Sequence, residues 1–199
     1  KNMKNINLGC GVELLNNFIN IDNSFSLEDL KGRKGIFRGA RIGKRAKFLR
    51  ADMRRLPFKD NSVDYIECLE AIEHIPYGDV PKAVREWYRV LKKGGKLVIF
   101  TTDFDDIAQM WVDHVKGKEF NIKNWFAMSG IIYGNQLTEG EYHRSFFNPA
   151  FFNTLMQLCG FKNFKMIGYP RGAFPPKFKG AKWPKKVMGC AFILIEAIK

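Results

Sequence analysis

Ile6-Asn7-Leu8-Gly9-Cys10-Gly11, followed almost at once by Ile19-Asn20-Ile21-Asp22, is the stretch of this chain with the most chemical content. An apolar run enters a turn whose two glycines remove side chains where a ligand must meet the backbone. A second apolar run ends in Asp22, a carboxylate placed to accept from hydroxyl groups. Together they have the logic of a nucleoside site with a ribose clamp. A G-x-G marks many tight turns, so the flanking runs carry this reading.

Glu70-Ala71-Ile72-Glu73-His74 offers a different chemistry. On one helical turn Glu70 would neighbour Glu73 at i,i+3 and His74 at i,i+4, so two carboxylates and an imidazole could converge on a divalent ion. The competing reading packs the histidine under a substrate pocket without a metal, and absence of a metal is the expectation carried forward. Bases that titrate near neutrality are scarce, since His74, His114 and His143 are the only histidines. His143, between Tyr142 and Arg144, is the first candidate to take a proton from an acceptor, and His74 the second. Cys10, Cys68, Cys159 and Cys190 are scattered without C-x-x-C spacing and read as reduced, buried thiols.

Positioning these groups requires a scaffold. With 199 residues and 46% hydrophobic content, the whole of 1–199 is expected to form one globular domain. Strands are expected at residues 6–8, 18–21, 47–52, 62–69, 96–101, 164–167 and 191–198. Only a short helix fits between Gly11 and Phe18. Val80, Val84, Trp87, Tyr88 and Leu91 recur at spacings of three and four, which predicts an amphipathic helix closed by Lys92-Lys93-Gly94-Gly95. Asp103, Asp105 and Asp106 suit the cap and first turn of another helix, and residues 149–159 a further one. Residues 116–145 read as irregular and aromatic, part of a cover over the site spanning about 103–148. Strands alternating with helices argue for an α/β sheet.

With those residues in place, the chain resembles the class I S-adenosylmethionine-dependent methyltransferases, in particular small ones whose first motif reads Asn-Leu-Gly-Cys-Gly. The matching stretches are Asn7 to Gly11, Asn20-Ile21-Asp22, Ala51-Asp52-Met53 with Leu56-Pro57-Phe58, Val63 to Ile66 running into Glu73-His74-Ile75, and Arg89 to Leu97. The resemblance implies a Rossmann-like mixed sheet, mostly parallel with one antiparallel edge strand and helices on both faces. It implies S-adenosylmethionine as cofactor. Asn7, Leu8, Gly9, Cys10 and Gly11 would meet its methionine part and ribose, Asp22 with Asn23 its ribose hydroxyls, Asp52 with Met53 its adenine, and Cys68 and Leu69 its sulfonium side. Two departures stand out: Asn7 replaces the usual acidic residue and Glu13 the third glycine. The Glu70, Glu73, His74 pattern is also similar to that of metal-assisted 2′-O-methyltransferases.

The formal charge of +13 is concentrated at residues 31–50 and in a basic loop at about 170–187 that interleaves Trp183 with lysines. Polyanions would be attracted to either, though a solvated basic surface satisfies the same pattern. The leading expectation is methylation, at oxygen or nitrogen, of a small-molecule or glycan-precursor acceptor. An RNA methyltransferase and a non-catalytic cofactor-binding descendant are the alternatives. No apolar run approaches the roughly 18 to 20 residues that span a bilayer, so a cytoplasmic location is expected. No feature assigns an oligomeric state.

Overall fold

The computed structural model describes residues 3–32, 39–116, 122–170 and 191–199. The basic loop at about 170–187, Trp183 and Cys190 fall outside these residues, as do residues 33–38 of the first basic stretch.

In chain order the elements are β1 (Asn5–Leu8), β2 (Glu13–Leu14), β3 (Phe18–Asp22), α1 (Leu27–Gly32), β4 (Arg41–Ile42), β5 (Lys47–Arg50), β6 (Val63–Leu69), α2 (Val80–Val90), β7 (Leu91–Thr102), α3 (Phe104–Lys116), α4 (Ile122–Tyr133), α5 (Pro149–Leu158), β8 (Asn163–Tyr169) and β9 (Phe192–Ile198). Seven strands form one sheet in the order β5-β3-β1-β6-β7-β9-β8. The first five run parallel, and β9 is antiparallel to both β7 and β8. The sheet is mixed and mostly parallel, as the sequence suggests. Its reversed strand, β9, is inserted between β7 and the terminal β8, which restores the parallel direction at the edge.

Helices cover both faces. On one, Val80, Ala83, Val84 and Trp87 of α2 join Phe152, Leu155 and Met156 of α5 over Ile6, Leu8, Ile66 and Leu97. On the other, Ile107 of α3 and Ile131 of α4 pack with Tyr65, Val98, Phe100 and Leu194. Strands β1 and β6 are thus buried on both sides, which is why they read as near-continuous apolar runs. Each fully buried Trp, Leu or Ile contributes roughly 1.5–3 kcal/mol through water released from its apolar surface. Trp87 adds a tie, since its Nε1 donates to the Met53 carbonyl at 2.9 Å and fixes the loop after β5 against α2.

Two expected features differ. The segment between Gly11 and Phe18 is not a short helix. Instead β2 pairs in parallel with β4 as a separate two-stranded sheet, held by Arg41 N–H to Val12 O at 2.8 Å, Gly43 N–H to Leu14 O at 2.9 Å and an Arg41–Glu13 ion pair. Asn17, at φ 65, turns the chain before a helix could form. Residues 122–133, expected to be irregular, are helical. The three aspartates lie at the start of α3, where a cap and first turn were expected. Asp103 accepts from Asp105 N–H, Asp105 from Asn148 Nδ2, and Asp106 from Ala191 N–H. Among the described residues no helix is long and apolar enough to cross a membrane.

Candidate functional site

Parallel pairing of Leu8 with Ile21 and with Cys68 brings the carboxyl ends of β1, β3 and β6 to one edge of the sheet. Ligand sites in open α/β sheets form at that edge. The two glycines of the first turn serve different ends. Gly9 has φ 60, and a Cβ there would lie 2.4 Å from Ala71 Cβ, so its bareness lets two chain segments touch. Gly11 has φ 49 and open space where a Cβ would stand. Its N–H donates to Asp22 Oδ2 at 3.1 Å, and Asp22 Oδ1 accepts from Ser24 N–H at 2.9 Å. Asp22 is held by two backbone donors and retains lone pairs for a ligand.

These groups open onto a cavity of about 620 Å³. Of the residues expected to hold a cofactor, Gly9, Gly11, Asp22, Asn23, Asp52 and Met53 line it, with Glu70 and His74 beside them. The opposite wall is Thr138, Glu139, Gly140, Glu141 and Arg144. Sequence reasoning placed a cover in this region without singling these residues out. Their only local signal is the polar, glycine-containing run from Thr138 to Arg144. Arg54 was also missed. It lies on the cavity wall and forks onto Asp52 while reaching Asp79.

Five expected contacts are not cavity residues. Asn7 donates through Nδ2 to Asn20 Oδ1 at 3.0 Å and to Glu13 O at 3.3 Å, so its amide joins β1 to β3 instead of meeting a ligand. Leu8 and Cys68 are wholly buried because their strands are covered on both faces. Cys10 packs among Leu14, Phe25, Leu30 and Ala40, and burial pushes its thiol well above the usual range. Leu69 packs against the cluster beneath α3 and α4.

Glu70 to His74 do not share one helical turn. Glu70 has φ 48 at the end of β6, and only Ile72 to His74 form a single 3₁₀ turn. Glu70 therefore stands apart at the cavity, where enclosure raises its carboxyl to about 6. His143 approaches instead. Its ring meets that of His74 edge to face, with centroids 4.9 Å apart. His143 sits behind His74, and only His74 lines the cavity. Each Nδ1 faces a backbone carbonyl, His74 that of Tyr142 at 3.1 Å and His143 that of Ile131 at 2.8 Å. Burial lowers both imidazoles, His143 to about 4 with its neighbour His74 adding to the effect. Glu73 is 3% exposed and accepts from Thr101 Oγ1 at 3.1 Å. Burial, helped by the charge of Glu70, raises its carboxyl to about 8.

Residues 7–99 match a family model described as a methyltransferase domain. A ubiquinone/menaquinone biosynthesis C-methyltransferase of Rickettsia prowazekii is 38% identical over 91 residues, 45% of this chain and 34% of that protein. The chain spans between about a third and a half of the length of the curated relatives it matches. Among solved structures, an S-adenosylmethionine-dependent methyltransferase from Archaeoglobus fulgidus has a TM-score of 0.61 at 11% identity, covering 99% of this chain and 86% of that one. Another from Thermotoga maritima has a TM-score of 0.57 at 22% identity, covering 98% and 82%.

Proposed function

We propose that the chain carries a class I S-adenosylmethionine-dependent methyltransferase domain, in keeping with the family model matched by residues 7–99 and with the methyltransferase relatives, and that it methylates a small polar acceptor bound between the strand edge and residues 138–144. The observation that carries the reading is Asp22, fixed by the Gly11 and Ser24 N–H groups in the same cavity as His74. The residues fit the cofactor. Asp22 would take the ribose hydroxyls, the open face of Gly11 would admit the nucleoside against the backbone, and Asp52 with Met53 would meet the adenine. Bound there, the cofactor supplies a methyl group already activated by its sulfonium.

The chain then has little to do beyond placement and exclusion of water. A cavity of about 620 Å³ lies within the range of small-molecule sites and leaves space for a modest acceptor beside a nucleoside. Glu139, Glu141 and Arg144 give its far wall the polarity that a hydroxylated or charged acceptor requires. A metabolite or glycan precursor fits that wall. His74 is the base at the acceptor side. Its Nδ1 proton goes to the Tyr142 carbonyl, so Nε2 keeps a lone pair that can receive the acceptor's proton. His143 behind it is a positioning residue. The match to a C-methyltransferase covers less than half of the chain.

The test is transfer of tritiated methyl from S-adenosylmethionine to fractionated small-molecule and RNA extracts, with calorimetric titration of the cofactor alongside. Incorporation into a small-molecule fraction is expected. Absence of cofactor binding at millimolar concentration would overturn the reading.

A further inference from the structure

Methyl transfer makes no use of Glu73 or of His143 Nε2, although both lie against the cavity residue His74. One potential ligand atom from each of Glu73, His74 and His143 lies within 4.8 Å of the others. Two features distinguish this cluster from chance packing. A carbonyl oxygen only accepts, so the Nδ1 atoms facing Tyr142 O and Ile131 O carry hydrogens, and both rings present Nε2 as a lone pair. Metal-binding imidazoles are held in this manner, one nitrogen donating to a backbone carbonyl while the other meets the ion. The backbone around the cluster is also clamped. Arg144 N–H and Ser145 N–H both donate to Glu73 O, at 2.7 and 3.1 Å, and Ser145 Oγ donates to Ile75 O at 2.9 Å. The segment carrying His143 is thus fastened to the turn carrying Glu73 and His74. Thr101 Oγ1 donates to one Glu73 oxygen at 3.1 Å and so orients the carboxyl.

We propose that Glu73, His74 and His143 form a two-histidine, one-carboxylate site for a divalent first-row transition-metal ion at the inner wall of the cavity. Two imidazoles with one carboxylate suit iron(II), cobalt(II), manganese(II) or zinc(II), whereas magnesium and calcium prefer oxygen donors throughout. Bonds of about 2.0 to 2.2 Å require the three donors to draw in by roughly 1 Å, within reach of small side-chain rotations. The ion and the acceptor's proton compete for one lone pair, His74 Nε2. With the ion bound, the positions not filled by protein are open to water or to an acceptor oxygen, whose pKa the ion lowers. This assignment differs from the one the sequence suggests, because the turn at Glu70 removes that residue and the fold supplies His143.

The test is titration of the full chain, stripped by chelator and without cofactor, with cobalt(II), read by its visible absorption and by calorimetry. One ion per chain is expected. Binding should weaken at least about tenfold in His74→Asn, in His143→Asn and in Glu73→Gln, the loss expected when metal-site groups are removed. Glu73 is buried, so the two half-buried histidines carry the decision if Glu73→Gln melts early in the absence of metal. No saturable binding of cobalt(II), manganese(II), iron(II) or zinc(II) at millimolar concentration, or binding unchanged in both histidine variants, overturns the proposal and leaves the cluster as packing. Because no cofactor is present, this result is independent of the methyl-transfer reading.

Discussion

Arg54 closes a fork on Asp52, with Nε 3.0 Å from each carboxylate oxygen and Nη2 2.7 Å from Oδ2, while its Nη1 reaches Asp79 just ahead of α2. This guanidinium holds the Asp52 carboxyl below the usual carboxylate range. The carboxylate assigned to adenine is therefore pre-set by a neighbour two residues away, with one rotamer enforced and fewer lone pairs free.

Arg54→Ala should weaken cofactor binding by about 1 kcal/mol, the order of the ordering entropy that Asp52 would then lose on binding. Asp52 is about a third exposed, so solvent screening keeps the effect on stability small. Calorimetric titration of S-adenosylhomocysteine is the measurement. An unchanged Kd would show that the fork only braces the loop against α2.

Asp22→Ala should weaken the same titration by roughly 1 to 3 kcal/mol, because hydroxyl groups would be left poorly paired. The variant also releases the Gly11 and Ser24 N–H groups, so a modest fall in melting temperature of the ligand-free chain is expected. Cofactor should raise the melting temperature of the wild type and much less that of the variant, since stabilisation follows occupancy. Equal shifts in both would remove Asp22 from the site.

Asp22, Gly11 and the strands that carry them to the cavity were legible because each depends on a local pattern: an apolar run, a turn residue and a carboxylate at a strand end. Groups paired across the chain were not. Asn7 looks like a ligand contact until Asn20 is seen beside it, and Cys10 looks like part of the turn until α1 and Ala40 close over its thiol. Glu13 gives no sign that it will pair with Arg41, so the short helix expected there became a strand. His143 stands out in the sequence for its imidazole and its place between Tyr142 and Arg144 in the expected cover. Its meeting with Glu73 depends on hydrogen bonds from Arg144 and Ser145 that join residues about seventy positions apart. The turn at Glu70 had no signal, because a positive φ at glutamate is set by the surrounding packing.

An RNA acceptor would require the exposed basic stretch to work electrostatically. Lys44, Arg45 and Lys47 are exposed, whereas Arg41 is engaged with Glu13. If RNA were the substrate, binding would fall steeply with salt, and the triple replacement of Lys44, Arg45 and Lys47 by Gln would reduce the slope by about one unit per lost phosphate contact. The small-acceptor reading expects the opposite. Turnover on the small-molecule fraction should change little with salt or in the triple variant. Tight, salt-sensitive RNA binding in anisotropy titrations would move the nucleic-acid acceptor ahead.

Gly9 and Gly11 allow the two uses of a bare backbone to be separated by experiment. Alanine at either position meets a positive φ, which costs about 1 to 2 kcal/mol. At Gly9 the new methyl would also lie 2.4 Å from Ala71 Cβ, an atom fixed to the backbone and unable to swing away. Overpacking of this kind adds about 1 to 3 kcal/mol, so Gly9→Ala should be the more destabilising by that margin in urea unfolding. Adding Ala71→Gly should recover the clash but not the strain, giving a favourable coupling energy between the two positions. Gly11→Ala has open space around its methyl and should show only the strain in unfolding. That same methyl would project into the cavity, so Gly11→Ala is expected to lose most of its cofactor affinity while remaining folded. Equal destabilisation by the two alanines, or normal cofactor binding by Gly11→Ala, would contradict this division of labour within the turn.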